Sequence, residues 1–486
     1  MAFSLLLISL LTWAFASPLG STPDEDYHLA SIWCGQGERE GLCEYSTEKA
    51  GDIIVPASTV EAANCFAFHP ELSANCPVKP ASETTVTGRS NADGGYPPVF
   101  YWVMGAFAGP NLVLSVLLMR IFNSVLFVGI LLTTFLLSSK SLRVPLLWGI
   151  AITVVPLGMF LIPSVNPSSW ALISATVLWA SLTGFFNAES NKQRTSLGII
   201  AGLATIIGAG ARSDAAVYSG IAVVVAIILS WKKVSEHRLL LLLPAGIVIV
   251  ALAFFFSGGQ SSVVAPDGSA ATNASIGVVS LAFANLALLP QLWTGVLGTW
   301  GLGWLDTTMP GIVWVTSVAL FSAFVFAGLK SLNKVKAIAV SLLFLSLIAI
   351  PLYILVNDRV MVGAGVQPRY IFPLMIMFAG VSLTALNTGN DTFSRAQVWI
   401  AVSGLTIANS LALHTNIRRY VTGIDTGGVN LDEKVEWWWT LPFGPMWVWA
   451  LGTIAFGLAL SYLANWTLKS WDTELVSLEP SLNSSK

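Results

Sequence analysis

The chain has 486 residues, of which 55% are hydrophobic and only 10% are Asp, Glu, Lys or Arg. A soluble protein carries about 25% charged residues, and it could not cover this much apolar surface. The composition therefore excludes a soluble globular protein, a disordered chain and a small disulfide scaffold. It predicts an all-α integral membrane protein. The net charge of −2 gives no indication of nucleic-acid binding.

Long apolar runs mark the expected membrane spans. A helix needs about 20 apolar residues to cross the hydrocarbon core, and the runs here are bounded by Lys, Arg, Asn and Pro clusters. We predict about 12 transmembrane helices, or about 11 to 13. They are expected near residues 3–19, 112–138, 146–164, 169–187, 196–211, 215–231, 239–256, 310–329, 337–356, 370–386, 398–415 and 445–467. Two further stretches, 97–108 and 276–297, predict helices in the membrane interface, with a re-entrant segment as the alternative for the second.

Positive charges indicate the orientation of the chain. With a cytoplasmic N-terminus, the inside connections and the C-terminal tail hold 13 of the 24 Lys and Arg residues but only 6 of the 26 acids. The other acids are outside, and 12 of them lie between residues 24 and 93. Because Lys and Arg are enriched in short cytoplasmic loops, we expect a multi-pass cell-membrane protein with both termini in the cytoplasm.

The first span ends in Ala14-Phe15-Ala16, which resembles a signal-peptide cleavage site, but it lacks a basic n-region. We expect it to be retained as a signal anchor, with cleavage as the alternative. The predicted organisation is a first transmembrane helix (1–19), an extracytoplasmic loop with an interfacial helix (20–111), a transmembrane bundle (112–256), a second extracytoplasmic loop with an interfacial helix (257–309), a second bundle (310–467) with an external loop (416–444), and a cytoplasmic tail (468–486).

All the cysteines lie in the first external loop, namely Cys34, Cys43, Cys65 and Cys76. An even number clustered outside the cytoplasm indicates two disulfides. The alternatives are a zinc site or free thiols, although the spacing does not fit a Cys-x-x-Cys metal pair. Three pairings are possible, and the local one, Cys34 with Cys43 and Cys65 with Cys76, is favoured.

An acidic motif follows the first span. Thr22 and Glu25 have the spacing of a capping box, and Pro23 would occupy the first helical position. A Gln at position 25 would keep such a cap, so we expect that substitution to be mild. Asp24 and His28 lie one turn apart on one helix face. A carboxylate at the membrane surface beside apolar walls is a candidate general base, so Asp24, with Glu25 second, is the predicted catalytic residue and His28 a binding residue.

Other polar and aromatic residues of the external loops are candidate binding residues. Tyr96, Tyr101 and Trp304 are typical of an interfacial aromatic belt, or they bind a sugar ring through its C–H face. Asp306 belongs either to a rigid turn or to a site for hydroxyls or a divalent cation. No Walker loop, His-Glu-x-x-His or other close-spaced metal motif occurs, so no cofactor is predicted beyond that possible cation.

Several arginines lie at the external edge of the membrane. Such residues often snorkel or pair with nearby acids, but a guanidinium can also grip a lipid phosphate through two hydrogen bonds. An arginine inside a span is costly and is a functional candidate by default. The candidates are Arg120 within the second span, Arg212 with Asp214, Arg369 with Tyr370, and Arg418 and Arg419.

Taken together, these segments resemble a family. The run Pro23-Asp24-Glu25-Asp26-Tyr27-His28 resembles the segment that opens the bacterial membrane family catalogued as domain of unknown function 2142, although that family usually has Pro where this chain has Asp26. Further landmarks follow in the family's order: Tyr96-Pro97-Pro98, Asn166-Pro167-Ser168, Gly301 to Pro310, Pro368-Arg369-Tyr370, Arg418-Arg419-Tyr420 and Trp437-Trp438-Trp439. The family is similar in plan to the GT-C glycosyltransferases, and this likeness is an analogy of architecture, which does not fix function.

The resemblance implies a GT-C-like membrane glycosyltransferase. Such an enzyme would take a sugar from a polyprenyl-phosphate carrier in the lipid bilayer and place it on an extracytoplasmic glycan or protein hydroxyl. The first alternative is a polytopic transporter or lipid flippase, which predicts paired charges near the bilayer middle and broken helices in two halves. The second is a non-enzymatic cell-envelope assembly or sensor protein, in which the external carboxylates would be replaceable.

The orientation is testable with single cysteines placed in opposite loops. We expect a membrane-impermeant thiol reagent to label a cysteine at position 430 in intact cells and to leave one at position 232 unlabelled until the cells are lysed. The reason is the distribution of Lys and Arg described above. Labelling of position 232 but not of position 430 would invert the topology.

Overall fold

The structure is a computed structural model that describes residues 1–77, 79–80, 82–259, 276–384 and 393–483, with the backbone alone for residues 471–483. Helices dominate it. In chain order they are α1 (Ala2–Phe15), α2 (Glu25–Trp33), α3 (Ala57–Glu61), α4 (Val99–Gly105), α5 (Leu112–Leu137), α6 (Lys140–Ala151), α7 (Leu157–Leu161), α8 (Pro167–Phe186), α9 (Asn191–Ala209), α10 (Ser213–Leu229), α11 (Trp231–Glu236), α12 (Leu242–Ser257), α13 (Val278–Leu288), α14 (Pro290–Thr294), α15 (Gly311–Gly328), α16 (Lys334–Asn357), α17 (Pro368–Ser382), α18 (Arg395–Val421) and α19 (Pro445–Asn483).

Within these described ranges, eight helical segments are long and apolar enough to cross a membrane. Three shorter apolar helices, α1, α10 and α17, accompany them. The expectation of a helical integral membrane protein is therefore confirmed, while the count of about 12 spans stays a prediction. The predicted span ends at 385 and 386, and most of the loop beyond them, lie outside the described residues.

Two predicted segments differ in the structure. The stretch 146–164 is not one continuous helix, because α6 ends at Ala151 and α7 begins at Leu157. Pro156 lies in the break, where it cannot donate a backbone hydrogen bond and restricts the residue before it. The stretch predicted as interfacial or re-entrant forms helices from Val278 to Thr299, and this segment is long and apolar enough for a full crossing.

The loop between α1 and α5 contains a small sheet that the apolar pattern did not predict. Strands β1 (Glu44–Tyr45), β2 (Ile53–Pro56) and β3 (Thr84–Thr87) form an antiparallel sheet in the order β1-β2-β3. Both disulfides have the favoured local pairing, Cys34 with Cys43 and Cys65 with Cys76. The first disulfide thus closes a loop just before β1, and the second closes a loop between β2 and β3.

Helix α8 lies at the centre of the bundle, and 94% of its most apolar 18-residue window is buried. Small side chains allow the neighbouring helices to approach closely, as is common in membrane bundles. A Cβ on Gly380 would lie 2.5 Å from the Trp179 ring, and one on Gly149 would lie 2.7 Å from Gly380 Cα. The glycines therefore set the distance between α6, α8 and α17.

The segment between α1 and α2 is gripped by Arg120, which lies eight residues into α5, about 12 Å along its axis. Its guanidinium donates to the carbonyl oxygens of Ala14 (3.0 Å), Ser17 and Pro18 (2.6 Å) and to Glu25 Oε1 (3.2 Å). Both side chains of the Arg120–Glu25 ion pair are buried. These oxygen acceptors stabilise the positive charge of Arg120, which would be costly to bury alone inside the membrane.

Side chains from distant parts of the chain donate further hydrogen bonds to this segment. They donate to the backbone carbonyl oxygens of the same segment, which α1 cannot satisfy itself because its chain has left the helical path. The bonds are Trp439 Nε1 to Phe15 (2.7 Å), Asn416 Nδ2 to Ala16 (3.1 Å), Trp304 Nε1 to Gly20 (2.8 Å), Tyr420 Oη to Ser21 (3.2 Å) and Asn166 Nδ2 to Pro23 (2.9 Å). The residue that follows, Asp24, is therefore fixed in position.

Candidate functional site

Asp24 occupies the centre of the candidate site, at the position just before α2. Its backbone is left-handed, with φ of 60°, a conformation that Asp tolerates better than most residues. Its side chain is 35% exposed, and each carboxylate oxygen has an arginine partner. Oδ2 lies 2.6 Å from Arg369 Nη2, and Oδ1 lies 2.9 Å from Arg89 Nη2. The carboxylate is clamped between two guanidinium groups.

The clamp determines the protonation of Asp24. Burial alone would raise the pKa of this carboxyl group, but the charges of Arg369 and Arg89 and the hydrogen bond from Arg369 outweigh it and hold the pKa well below its ordinary range. Asp24 is therefore ionised near neutral pH. Since its folded-state pKa is depressed, the clamp stabilises the fold above the ordinary carboxyl pKa and is lost only as the pH falls through the folded value.

Arg89 is a member of the site that the sequence analysis missed. It follows β3 and joins Asp24 to Asp26, with Nε 2.6 Å from Asp26 Oδ2. Its side chain is half exposed. Nothing in the local sequence marks it, because β3 brings it next to a motif that lies more than 60 residues earlier in the chain. Its place directly after the strand β3 would have been the only signal for Arg89.

Arg369 is buried at the start of α17. Besides Asp24, it donates to Pro23 O (3.2 Å) and to Tyr370 Oη (3.3 Å). Its Nε and the neighbouring Gln367 Oε1 are buried without a hydrogen-bond partner in the described part of the chain. Both residues line a narrow slot of about 20 Å³ beside Asp24, whose other walls include Phe160, Trp300 and Leu302. A buried polar edge and apolar walls thus meet next to the carboxylate.

Arg212 lies on the aromatic side of the site. It is paired with Asp214 through two hydrogen bonds of 2.9 and 2.8 Å. The centre of its guanidinium is 4.7 Å from the Tyr370 ring centroid and 5.7 Å from that of Tyr96, within the range of a cation–π contact. Arg369 also lies over Tyr370, at 5.2 Å. The two arginines therefore share one tyrosine.

His28 and three tyrosines form the wall opposite Arg369. His28 Nδ1 lies 3.0 Å from Tyr101 Oη, and its ring packs edge-on against Tyr27 and Tyr96. Burial lowers the pKa of His28 to about 3, against the opposing charge of Asp24. Burial likewise raises the pKa of Tyr96 to about 12. The imidazole and the phenols are therefore neutral near pH 7, and the wall provides uncharged hydrogen-bonding groups and ring faces.

Four predicted site residues lie in other contacts. Arg419 forms a buried ion pair with Asp306 (2.8 Å) and donates to Leu72 O (2.6 Å) and Phe66 O (2.7 Å). Arg418 donates to Gly428 O (3.1 Å) and Asn430 O (2.6 Å), and Trp304 binds Gly20 O. In this conformation the two arginines and the tryptophan donate to backbone carbonyl groups. None of the four residues has a hydrogen bond to Asp24.

The predicted capping box is only half formed. Glu25 Oε2 accepts from Thr22 N (2.9 Å), but Thr22 Oγ1 donates to the same oxygen (3.0 Å) and does not cap a backbone N–H. The helix begins at Glu25 itself, so Pro23 is outside it. The other oxygen of Glu25 accepts from Arg120. The sequence did not indicate this pairing, because Arg120 is 95 residues away.

No group of three or more His, Cys, Asp and Glu side chains that could hold a metal ion occurs in the part of the chain that the structure describes. Asp306, the residue for which a divalent cation was considered, is hydrogen-bonded to Arg419 and Thr307. Asp306 Oδ2 accepts from the Arg419 guanidinium and Oδ1 from the Thr307 hydroxyl, so both carboxylate oxygens have partners.

Comparison with known families supports the resemblance seen in the sequence. Residues 7–378 match the family described as a predicted membrane protein, domain of unknown function 2142. The chain belongs to this family. The matched range includes Asp24, Arg89, Arg212 and Arg369, whereas Arg418 and Arg419 lie beyond it. Neither a curated protein nor a solved structure matches the chain.

The burial of Glu25 changes the expected effect of its substitution from mild to destabilising. Glu25→Ala leaves Arg120 as an unpaired buried charge, which typically costs about 3–5 kcal/mol. Glu25→Gln keeps an oxygen acceptor and should fall between Glu25→Ala and the native protein. The melting temperatures of both variants, measured in one detergent, should be lower than that of Asp26→Asn. That substitution removes a neighbouring carboxylate outside the buried pair.

A melting temperature of Glu25→Ala equal to that of the native protein would contradict the structural role of the pair. A normal melting temperature of Asp26→Asn checks that removing a carboxylate from the same turn does not itself unfold the loop.

Proposed function

We propose that the protein is a GT-C-like membrane glycosyltransferase that transfers a sugar from a polyprenyl-phosphate carrier to a hydroxyl of an extracytoplasmic glycan or protein. The observation that carries this proposal is the Asp24 carboxylate, partly exposed just before α2 and flanked by Arg369 and Arg89. A carboxylate, a phosphate-binding arginine and an aromatic wall are the groups that such a transfer needs.

Each group of the site has a proposed role. Asp24 is the general base for the acceptor hydroxyl. Arg369 binds the carrier phosphate, and Arg212, stacked on Tyr370, adds positive charge beside it. Tyr96, Tyr101 and His28 provide ring faces and neutral hydrogen-bonding groups for the sugar.

The proposed reaction balances without a cofactor. The acceptor oxygen forms a bond to the anomeric carbon while the bond from that carbon to the phosphate oxygen breaks. The acceptor proton moves to Asp24, and the electron pair of the broken bond stays on the polyprenyl phosphate, whose negative charge the arginines stabilise. The products are the glycosylated acceptor and the free carrier.

The clamp on Asp24 places a condition on this reaction. A carboxylate bonded to two guanidinium groups is a weak base, since its pKa is held below the ordinary range. The donor phosphate competes for Arg369, and its arrival would break the 2.6 Å bond to Asp24. The freed carboxylate then has a higher pKa and an open oxygen. We therefore expect the donor to bind before the acceptor.

The other arginines have a structural role in this proposal. Arg120 and Arg419 hold the segment and the loop around the site through backbone carbonyl groups. Asp306 and Trp304 belong to the same support, and Arg418 fixes the loop after α18. These residues position the site without contacting the substrate.

The proposed site faces the outside of the cell. This follows from the orientation given by the Lys and Arg residues, with residues 20–111, 257–309 and 416–444 extracytoplasmic and both termini in the cytoplasm. The donor diffuses in the membrane, so it would enter between helices. The acceptor would come from the aqueous side, where Arg89 and Asp24 are partly exposed.

The central test separates Asp24 from its neighbour Asp26. Asp24→Asn removes the base and should lower the transfer rate by about 100- to 10,000-fold while the protein still inserts and purifies. The rate is measured in detergent with a panel of polyprenyl-phosphate sugars and cell-envelope acceptors. Asp26→Asn, which loses only the contact with Arg89, should keep most of the rate.

Full transfer by Asp24→Asn would remove this residue from the mechanism. Absence of transfer by the native protein with every donor, together with carrier movement between leaflets in vesicles, would favour the flippase alternative. A normal cell envelope with both carboxylates replaced would favour an assembly or sensor role.

Arg369 is tested by its lysine and alanine variants. An ammonium provides a point charge and not the planar fork that matches two phosphate oxygens, so Arg369→Lys should raise the apparent KM for the donor. We expect the KM for the acceptor to change less. Arg359→Lys, at an exposed position outside the site, is the control. Unchanged donor dependence in Arg369→Ala at normal protein levels would exclude phosphate binding by this residue.

A further inference from the structure

A large apolar groove lies at the end of the bundle opposite Asp24. It has a volume of about 340 Å³ and is formed by α1, α5, α6 and α19. Its walls are apolar or aromatic and include Phe3, Leu6, Leu131, Phe135, Leu147 and Trp466. A groove with such walls between membrane helices fits a long hydrocarbon chain.

An arginine side chain lies beside one end of the groove. The Arg143 guanidinium lies 5.0 Å from the ring centroid of Phe135, a wall residue. Its Nε donates to Phe135 O and Ser138 O and its Nη2 to Leu136 O, each at 3.0 Å. Its Nη1 has no hydrogen-bond partner in the described ranges. Lys140 lies one turn earlier on the same helix.

Further groups at this end suit a lipid headgroup. The described side chains of Tyr462 and Trp466 also line the groove, and their hydroxyl and indole N–H have no hydrogen-bond partner among the described residues. Tyr and Trp are typical of the level where headgroups meet the hydrocarbon core. Helices α1, α5 and α6 contain no acidic residue that would repel a phosphate, and the first acidic residue of α19, Asp472, comes six residues after Trp466.

We propose that this groove binds one anionic phospholipid, with an acyl chain along the apolar walls and the phosphate at Arg143. A basic pocket between transmembrane helices is the kind of site that recognises an anionic headgroup. The free Nη1 would donate to a phosphate oxygen, while the indole and the phenol would donate to the headgroup or the ester carbonyl groups. This assignment does not depend on the proposed transferase activity.

The position of the groove argues for a resident phospholipid and against a bound sugar carrier. Phe135, beneath Arg143, is 15 residues further along α5 than Arg120, which corresponds to about 22 Å. Arg120 contacts the segment that leads to Asp24. A carrier phosphate at Arg143 would therefore lie at the wrong end of α5 for any reaction at Asp24.

The proposal is tested by native mass spectrometry of the purified full-length protein in detergent. We expect one retained phosphatidylglycerol, or another anionic phospholipid of the host membrane, for each chain. Titration with phosphatidylglycerol should show affinity reduced by about 10-fold or more in Arg143→Gln, the effect of losing one charged hydrogen bond. Arg143→Lys should bind with intermediate affinity.

A second variant keeps the test independent of Arg143, which also caps the end of α5. Leu147→Trp fills the groove and should abolish retention of the lipid, whereas Leu118→Trp, at an exposed position of α5 outside the groove, should leave it unchanged. Retention of the phospholipid by both Arg143→Gln and Leu147→Trp would overturn the proposal. So would equal binding of phosphatidylcholine, retention of a polyprenyl phosphate in its place, or binding of detergent only.

Discussion

The geometry of the site depends on the buried Arg120, which donates hydrogen bonds to the backbone where the chain leaves α1. After α1 the backbone leaves the helical path within the bundle, so its carbonyl groups lose their helical partners. Arg120 supplies hydrogen bonds to three of these carbonyl oxygens and an ion pair to Glu25. The cost of burying the guanidinium is met by oxygen acceptors. The same contacts fix the backbone that presents Asp24.

A second constraint is that two arginines, Arg369 and Arg89, bind the carboxylate of Asp24 at the same time. The contacts that hold the carboxylate in place also make it a weak base, so stability and reactivity are opposed at this residue. In the proposed reaction, the donor phosphate would replace Asp24 as the partner of Arg369, so the clamp would be strong only while the donor is absent. The aromatic wall stays neutral throughout, since burial keeps His28 and Tyr96 uncharged near pH 7.

The sequence predicted the features that follow from composition and local pattern. Membrane helices and the cysteine pairing came from short segments that carry their own signal. Asp24 and Arg369 were also named from short segments, and the structure brings them into contact, while their functional role stays a prediction. It could not predict which acid each arginine would meet. Glu25 has a local capping pattern, but a stronger partner arrives from α5. Arg89 is brought to the site by a small sheet, and hydrophobic periodicity does not report such long-range pairing.

The grip on residues 14–25 has a consequence for biosynthesis. The donors to its carbonyl groups are spread over the chain, from Arg120 through Asn166 and Trp304 to Asn416, Tyr420 and Trp439. The last of them is made 424 residues after its acceptor. During membrane insertion, several carbonyl groups of the N-terminal segment therefore lack their hydrogen-bond donors until the C-terminal part of the chain has been inserted. Truncation near the C-terminus would damage the first segment of the chain, far away in sequence, as directly as the helices that were removed.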